Sequence, residues 1–125
     1  MVTGSRQYTD YEKMSLVLYK YCSGASVIIT GGAFGADRLA KRYAQENGIK
    51  YGEIRPDYAR YGSKAAPLRR NLELVSRADK VIAFYMHTRK GGTLHAAKEA
   101  ARQGKLVVEI IGGEENVNDA QGTLF

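Results

Sequence analysis

One cysteine, Cys22, stands among 125 residues, which excludes an internal disulfide and any metal site built on thiolates. Its place near a helix end favours packing over reactivity. No apolar run approaches the roughly 20 residues that cross a bilayer, and the N-terminus lacks the charged-then-apolar order of a secretion signal. The expectation is a cytoplasmic protein with no membrane partner. Tryptophan is absent, so stacking surfaces fall to nine tyrosines, most of which at helical spacing are core or rim packing. The two histidines, His87 in a loop and His95 on the first turn of a helix, read more readily as packing or capping residues than as general bases. There is no internal repeat, no low-complexity segment and no second domain, and the residues call for neither a cofactor nor a metal.

What the chain has in excess is positive charge. The net charge of +6 favours acidic partners, either phosphate-bearing small molecules or nucleic acid. The cations are densest at Arg69-Arg70 and across 55–64. Hydrophobic residues at 44% and charged ones at 26% are ordinary for a globular domain, and the length suits one such domain with a substantial core.

The chain is organised around Val27-Ile28-Ile29-Thr30-Gly31-Gly32-Ala33-Phe34-Gly35-Ala36-Asp37. Three apolar residues run into a glycine pair and then a helix-forming segment, the order that brings backbone N–H groups and a helix N-terminus close to an anion. A plainer reading is a tight strand-to-helix turn. Repetition favours the first: Gly4-Ser5-Arg6 follows another short apolar stretch, and Gly91-Gly92-Thr93 lies beyond a third, Val81-Ile82-Ala83-Phe84. Asp37 is placed either to touch a ribose or to stabilise the start of its helix.

Residues 1–3 form the visible end of a first strand. Thr9-x-x-Glu12 has the form of a capping box, and Met14, Val17, Leu18 and Tyr21 follow at helical spacing over 10–21. Strand two spans 26–30. A second helix covers 36–47, with Ala36, Leu39, Ala40, Tyr43 and Ala44 on one face and Gly48 ending it. After a third strand, 50–54, a long loop over 55–66 precedes a helix that Pro67 opens, carrying Leu68, Leu72 and Val75. Strand four is 80–85, a loop runs over 86–92, and an alanine-rich helix begins near Thr93. Strand five, 105–111, completes a domain over 1–111, followed by a polar, flexible tail over 112–125. This alternation predicts an α/β, Rossmann-like parallel sheet of about five strands, order 3-2-1-4-5, with helices on both faces and a ligand crevice where the order reverses.

The motifs G-S-R (Gly4 to Arg6), G-G-A-x-G-A-D (Gly31 to Asp37), D-Y-x-x-Y-G-x-x-A-x-x-x-R-x-N (Asp57 to Asn71) and G-G-T (Gly91 to Thr93) resemble, in order and over residues 1–111, the SLOG superfamily. That group includes the Smf/DprA proteins and the LOG phosphoribohydrolases, and the likeness is greatest to its small stand-alone YspA-like branch. The resemblance implies a Rossmann-like fold and a pocket for a nucleotide-derived ligand. Carried over, Gly4, Ser5 and Arg6 form the first wall, and Gly31, Gly32, Ala33, Gly35 and Asp37 the floor. The arginine of R-x-N falls on Arg69, with Asn71 two places on. Gly92 and Thr93, after Gly91, match the end of the phosphate loop, in which Arg89 and Lys90 replace neutral residues. LOG-type relatives pair through helices, so the resemblance also implies a homodimer or higher homo-oligomer.

The departures concern catalysis. LOG enzymes place a glutamate shortly after the final Gly-Thr, where this chain has Leu94, His95, Ala96 and Ala97, and the loop proline is missing too. The expectation is therefore no catalytic residue: a protein that binds an ADP-ribose-type or cyclic signalling nucleotide without turnover, as a sensor or a sponge. One alternative is an enzyme that cleaves an N-glycosidic or phosphate bond in nucleotides. Another is a DNA-processing adaptor, because Gln121, Leu124 and Phe125 form a Q-x-x-L-F that resembles the peptide by which replication and repair proteins dock on the bacterial sliding clamp.

Overall fold

Hydrophobic alternation along the strands decides which helix lies on which side. A computed structural model, which describes residues 1–118, runs β1 (Val2–Gly4), α1 (Tyr11–Cys22), β2 (Val27–Thr30), α2 (Ala36–Glu46), β3 (Lys50–Glu53), α3 (Tyr58–Arg77), β4 (Val81–Tyr85), α4 (Gly91–Arg102), β5 (Leu106–Ile111) and β6 (Glu114–Val117). Every residue of β4 is buried, as a strand covered on both faces requires. Ile82 and Phe84 join a core with Met14, Val17 and Leu18 of α1 and Ala40, Tyr43 and Ala44 of α2. Val81, Ala83 and Tyr85 turn the other way, to Val75 of α3 and Ala96, Ala97 and Ala100 of α4. Alanines let α4 approach the strands closely, and Cys22 packs partly buried against the first core.

Strand order departs from the expected continuous 3-2-1-4-5 sheet. β1, β4 and β5 are parallel neighbours, and so are β2 and β3, but among the described residues no hydrogen-bonded ladder joins β1 to β2. The cause is local. β1 has three residues, and the chain leaves it at once, with Ser5 N–H donating to Phe84 O (2.9 Å) and Ser5 O accepting from Ala36 N–H (3.1 Å). The first turn is tied to β4 and α2 instead of to β2.

Three boundaries also differ. Asp10 caps α1 through Lys13 N–H (3.0 Å), so the capping box at Thr9 is not used. The expected loop over 55–66 is helical from Tyr58, because Asp57 accepts from Arg60 N–H (3.1 Å); the helix kinks at Gly62, and Pro67 lies inside it. Residues 112–118 do not begin a tail. Gly112 and Gly113 both take positive φ (59° and 85°), the conformation of a two-residue hairpin turn, and fold β6 antiparallel onto β5. Glu115 fastens it to α1 by accepting from Lys20 Nζ (3.1 Å) and Tyr21 OH (3.0 Å). Gln121, Leu124 and Phe125 lie outside the described residues.

Candidate functional site

Three glycine-bearing turns meet at the carboxyl ends of the strands around a cavity of about 450 Å³. Of the residues expected to bind ligand, Gly4, Ser5, Arg6, Gly31, Ala33, Asp37, Asn71, Lys90, Gly91, Gly92 and Thr93 line it. Gly32, Gly35, Arg69 and Arg89 do not. His87 also lines it, whereas His95 of α4 does not, its Nδ1 being buried without a hydrogen bond among the described residues.

Each of those four positions has a physical reason. Gly35 is the N-cap of α2 with φ 73°, and a Cβ there would fall on Ser5 O and the Arg6 carbonyl. It brings the first two turns together by having no side chain. Gly32 N–H donates to Thr30 Oγ1 (3.0 Å), so that amide is taken. A Cβ at Gly32 would meet the Glu53 carboxylate at 2.8 Å, which makes a bulky residue there a disturbance of the Thr30–Tyr51–Glu53 hydrogen bonds. Arg69 is exposed and stacks on Tyr61, 4.8 Å from the ring centre. Arg89 donates to Glu109 (3.0 Å).

The cation that reaches the cavity from α3 is Arg70. Its Nη1 donates to Gly31 O (2.9 Å), its Nε to Asn71 Oδ1 (3.0 Å), and Asn71 Nδ2 donates to Gly92 O (3.2 Å). One run of hydrogen bonds therefore joins the turn after β2 to the start of α4 and holds the guanidinium through Nε and Nη1. Helical phase carried this information: Ala66, Arg70 and Leu74 share a face, and both flanking residues are buried. Burial draws the Arg70 pKa down and Asp37 holds it up, and the group stays charged.

Asp37 is the carboxylate of the lining. It is buried and accepts from Ala33 N–H (3.2 Å). Burial pushes its pKa up to about 6, against the opposing pull of the Ala33 N–H, Arg70 and the Gly31 N–H. At the other side, α4 begins with Lys90 as an N-cap in extended backbone, with no side-chain cap and no acidic residue in its first turn. The amides at an uncapped helix start are unsatisfied donors carrying part of the helix dipole. Arg6, Arg70 and Lys90 share the lining with them, an arrangement whose chemistry suits an anionic group. Glu99, the nearest acid along α4, is engaged with Arg102 and Gln103.

A parallel α/β architecture whose glycine turns open on a crevice at the carboxyl ends of its strands defines a Rossmann-like domain. The chain belongs to the YspA, cpYpsA-related SLOG family (YAcAr), whose profile matches residues 1–61. It is 36% identical over 120 residues to the Gene 61 protein of Mycobacterium phage D29, an alignment that covers 88% of this chain and 94% of the phage protein. No solved structure matches the chain significantly.

Proposed function

We propose that the crevice binds a nucleotide-derived ligand, of ADP-ribose type or a cyclic signalling nucleotide, and holds it without turnover as a sensor or sponge. Family membership supports a nucleotide-related ligand in general. The observation that carries the reading further is the convergence of Arg6, Arg70, Lys90 and the uncapped start of α4 on one cavity that offers a single carboxylate. A phosphate belongs at α4, and the hydroxyl-bearing part of the ligand belongs by Asp37. Storage in place of chemistry is favoured by Leu94 to Ala97, which supply no acid where LOG enzymes have one. Mass spectrometry of small molecules released from the purified protein, followed by calorimetry with adenosine monophosphate and ADP-ribose, tests this. Absence of any phosphorylated ligand and of any binding heat sinks it.

Asp37 favours a second reading, an enzyme. A buried carboxyl titrating near pH 6 in a cleft is suited to acid–base work. Incubation with the same nucleotides separates the two: recovery of intact ligand supports binding, and release of free base that Asp37→Asn abolishes supports hydrolysis. Self-association belongs to the same proposal, with Leu68 and Leu72 of α3 and Leu16 and Tyr19 of α1 exposed. A mass of 13.8 kDa at all concentrations in light scattering would refute it. No helix among the described residues is long and apolar enough to cross a membrane.

A further inference from the structure

We propose that Arg89, Glu109 and Tyr85 form a clasp that sets the loop 86–90, so that Arg89 acts on a bound anion only by positioning Lys90 and the start of α4. The inference rests on the anion site proposed above and assigns Arg89 a positioning role in it.

Glu109 interrupts the apolar run of β5 between Val108 and Ile110, and its side chain is only 11% exposed. A carboxylate so placed is costly unless partnered. Both partners meet the same oxygen: Oε2 accepts from Tyr85 OH (2.8 Å) and from Arg89 Nε (3.0 Å). The register makes the first contact, since Ala83 pairs with Glu109 and Tyr85 lies two residues along on the same face. Tyr85 is itself a wall of the cavity. Arg89 lies between two lining residues, Thr88 and Lys90, yet turns its guanidinium back to the sheet. Among the described residues, its bond to Glu109 is the side-chain hydrogen bond that reaches residues 86–90. Asn71 holds the following turn through Gly92 O. The anion-facing amides thus sit between two anchors, one on α3 and one on β5.

Charge-assisted hydrogen bonds of this kind are the strong ones, and the hydrogen bond to Glu109 is the principal cause that raises the pKa of Arg89. An arginine held this way contributes no charge to the ligand directly. That separates it from Lys90, which lies in the lining itself.

The test measures amide hydrogen exchange and adenosine monophosphate binding on wild type, Arg89→Ala, Glu109→Gln, the double variant, and Tyr85→Phe as a milder change. The clasp predicts about tenfold faster exchange over 87–93 in Arg89→Ala and in Glu109→Gln, with no further gain in the double variant, while β4 and β5 keep their protection. Affinity should fall in the same non-additive way, and the salt dependence of binding should stay as in wild type for Arg89→Ala but weaken for Lys90→Ala. Unchanged exchange over 87–93, additive losses, or a weakened salt dependence in Arg89→Ala overturns the clasp. If adenosine monophosphate does not bind wild type, the anion-site reading loses that ligand, and exchange alone still decides the clasp.

Discussion

Two helix starts face the crevice, and they are built in opposite ways. α2 follows the glycine-rich turn that dominates the sequence, yet its donors are largely spent inside the protein: Gly32 N–H on Thr30, Ala33 N–H on Asp37, Ala36 N–H on Ser5. Its first turn carries an acid, Asp37, that answers the helix dipole. α4 begins with a cation, no acid and no side-chain cap. A glycine motif can therefore serve close packing at one helix and leave an uncapped start at another. Charge in the first turn tells them apart.

The sharpest way to break that comparison is to add a methyl group at each start. Gly35→Ala meets Ser5 O at positive φ, and a loss of about 3 kcal/mol or more in stability is expected. Gly91→Ala has a similar φ (69°) and nothing within 4 Å, so only the backbone strain of about 1–2 kcal/mol remains. Urea unfolding of both variants checks this, and equal losses would remove the distinction.

Arg70→Ala should weaken nucleotide binding by about 1.5–3 kcal/mol, with Arg69→Ala near zero. Calorimetry that found the two equal would return the role to the exposed face of α3.

Asp37 sharpens the contrast through pH. Its folded pKa of about 6 lies above the ordinary value of 3.8, so between roughly pH 4 and 6 the folded state binds the extra proton and stability falls as pH rises. Asp37→Asn should flatten the stability profile across that window and raise stability above pH 6 by about 1–3 kcal/mol. Urea midpoints from pH 4 to 7.5 would show it; parallel profiles for both proteins would mean that Asp37 ionises freely. The smallest effect is expected from Lys90→Ala, a loss of about 1 kcal/mol in affinity at low salt that fades at high salt. A loss independent of salt would mean that Lys90 contributes by packing.

The parallel α/β class, both cores and most of the crevice were legible because apolar periodicity and glycine turns are local signals. Arg70 was not, because the motif drew attention to Arg69, while the Ala66, Arg70, Leu74 phase that buries one arginine and exposes the other spans two helical turns. Arg89 was assigned to the ligand for a different reason: the partner that turns it back to the sheet, Glu109, is 20 residues away on another strand. β6 did leave a trace, the Gly112-Gly113 pair after an apolar strand, but its Glu-Glu-Asn-Val sequence lacks the alternation that marks a strand.

That same hairpin bears on how the molecule behaves in a crowded solution. β5, with Leu106-Val107-Val108 and Ile110-Ile111, would without β6 offer a bare apolar margin to which any extended chain could add itself. β6 takes that position and presents exposed Glu114, Glu115 and Asn116 in its place. A chain shortened to Ile111 should keep its crevice and lose its colloidal stability, seen as turbidity that grows with protein concentration. Two glycines and the short strand they turn thus cover the margin of β5 that would otherwise lie open.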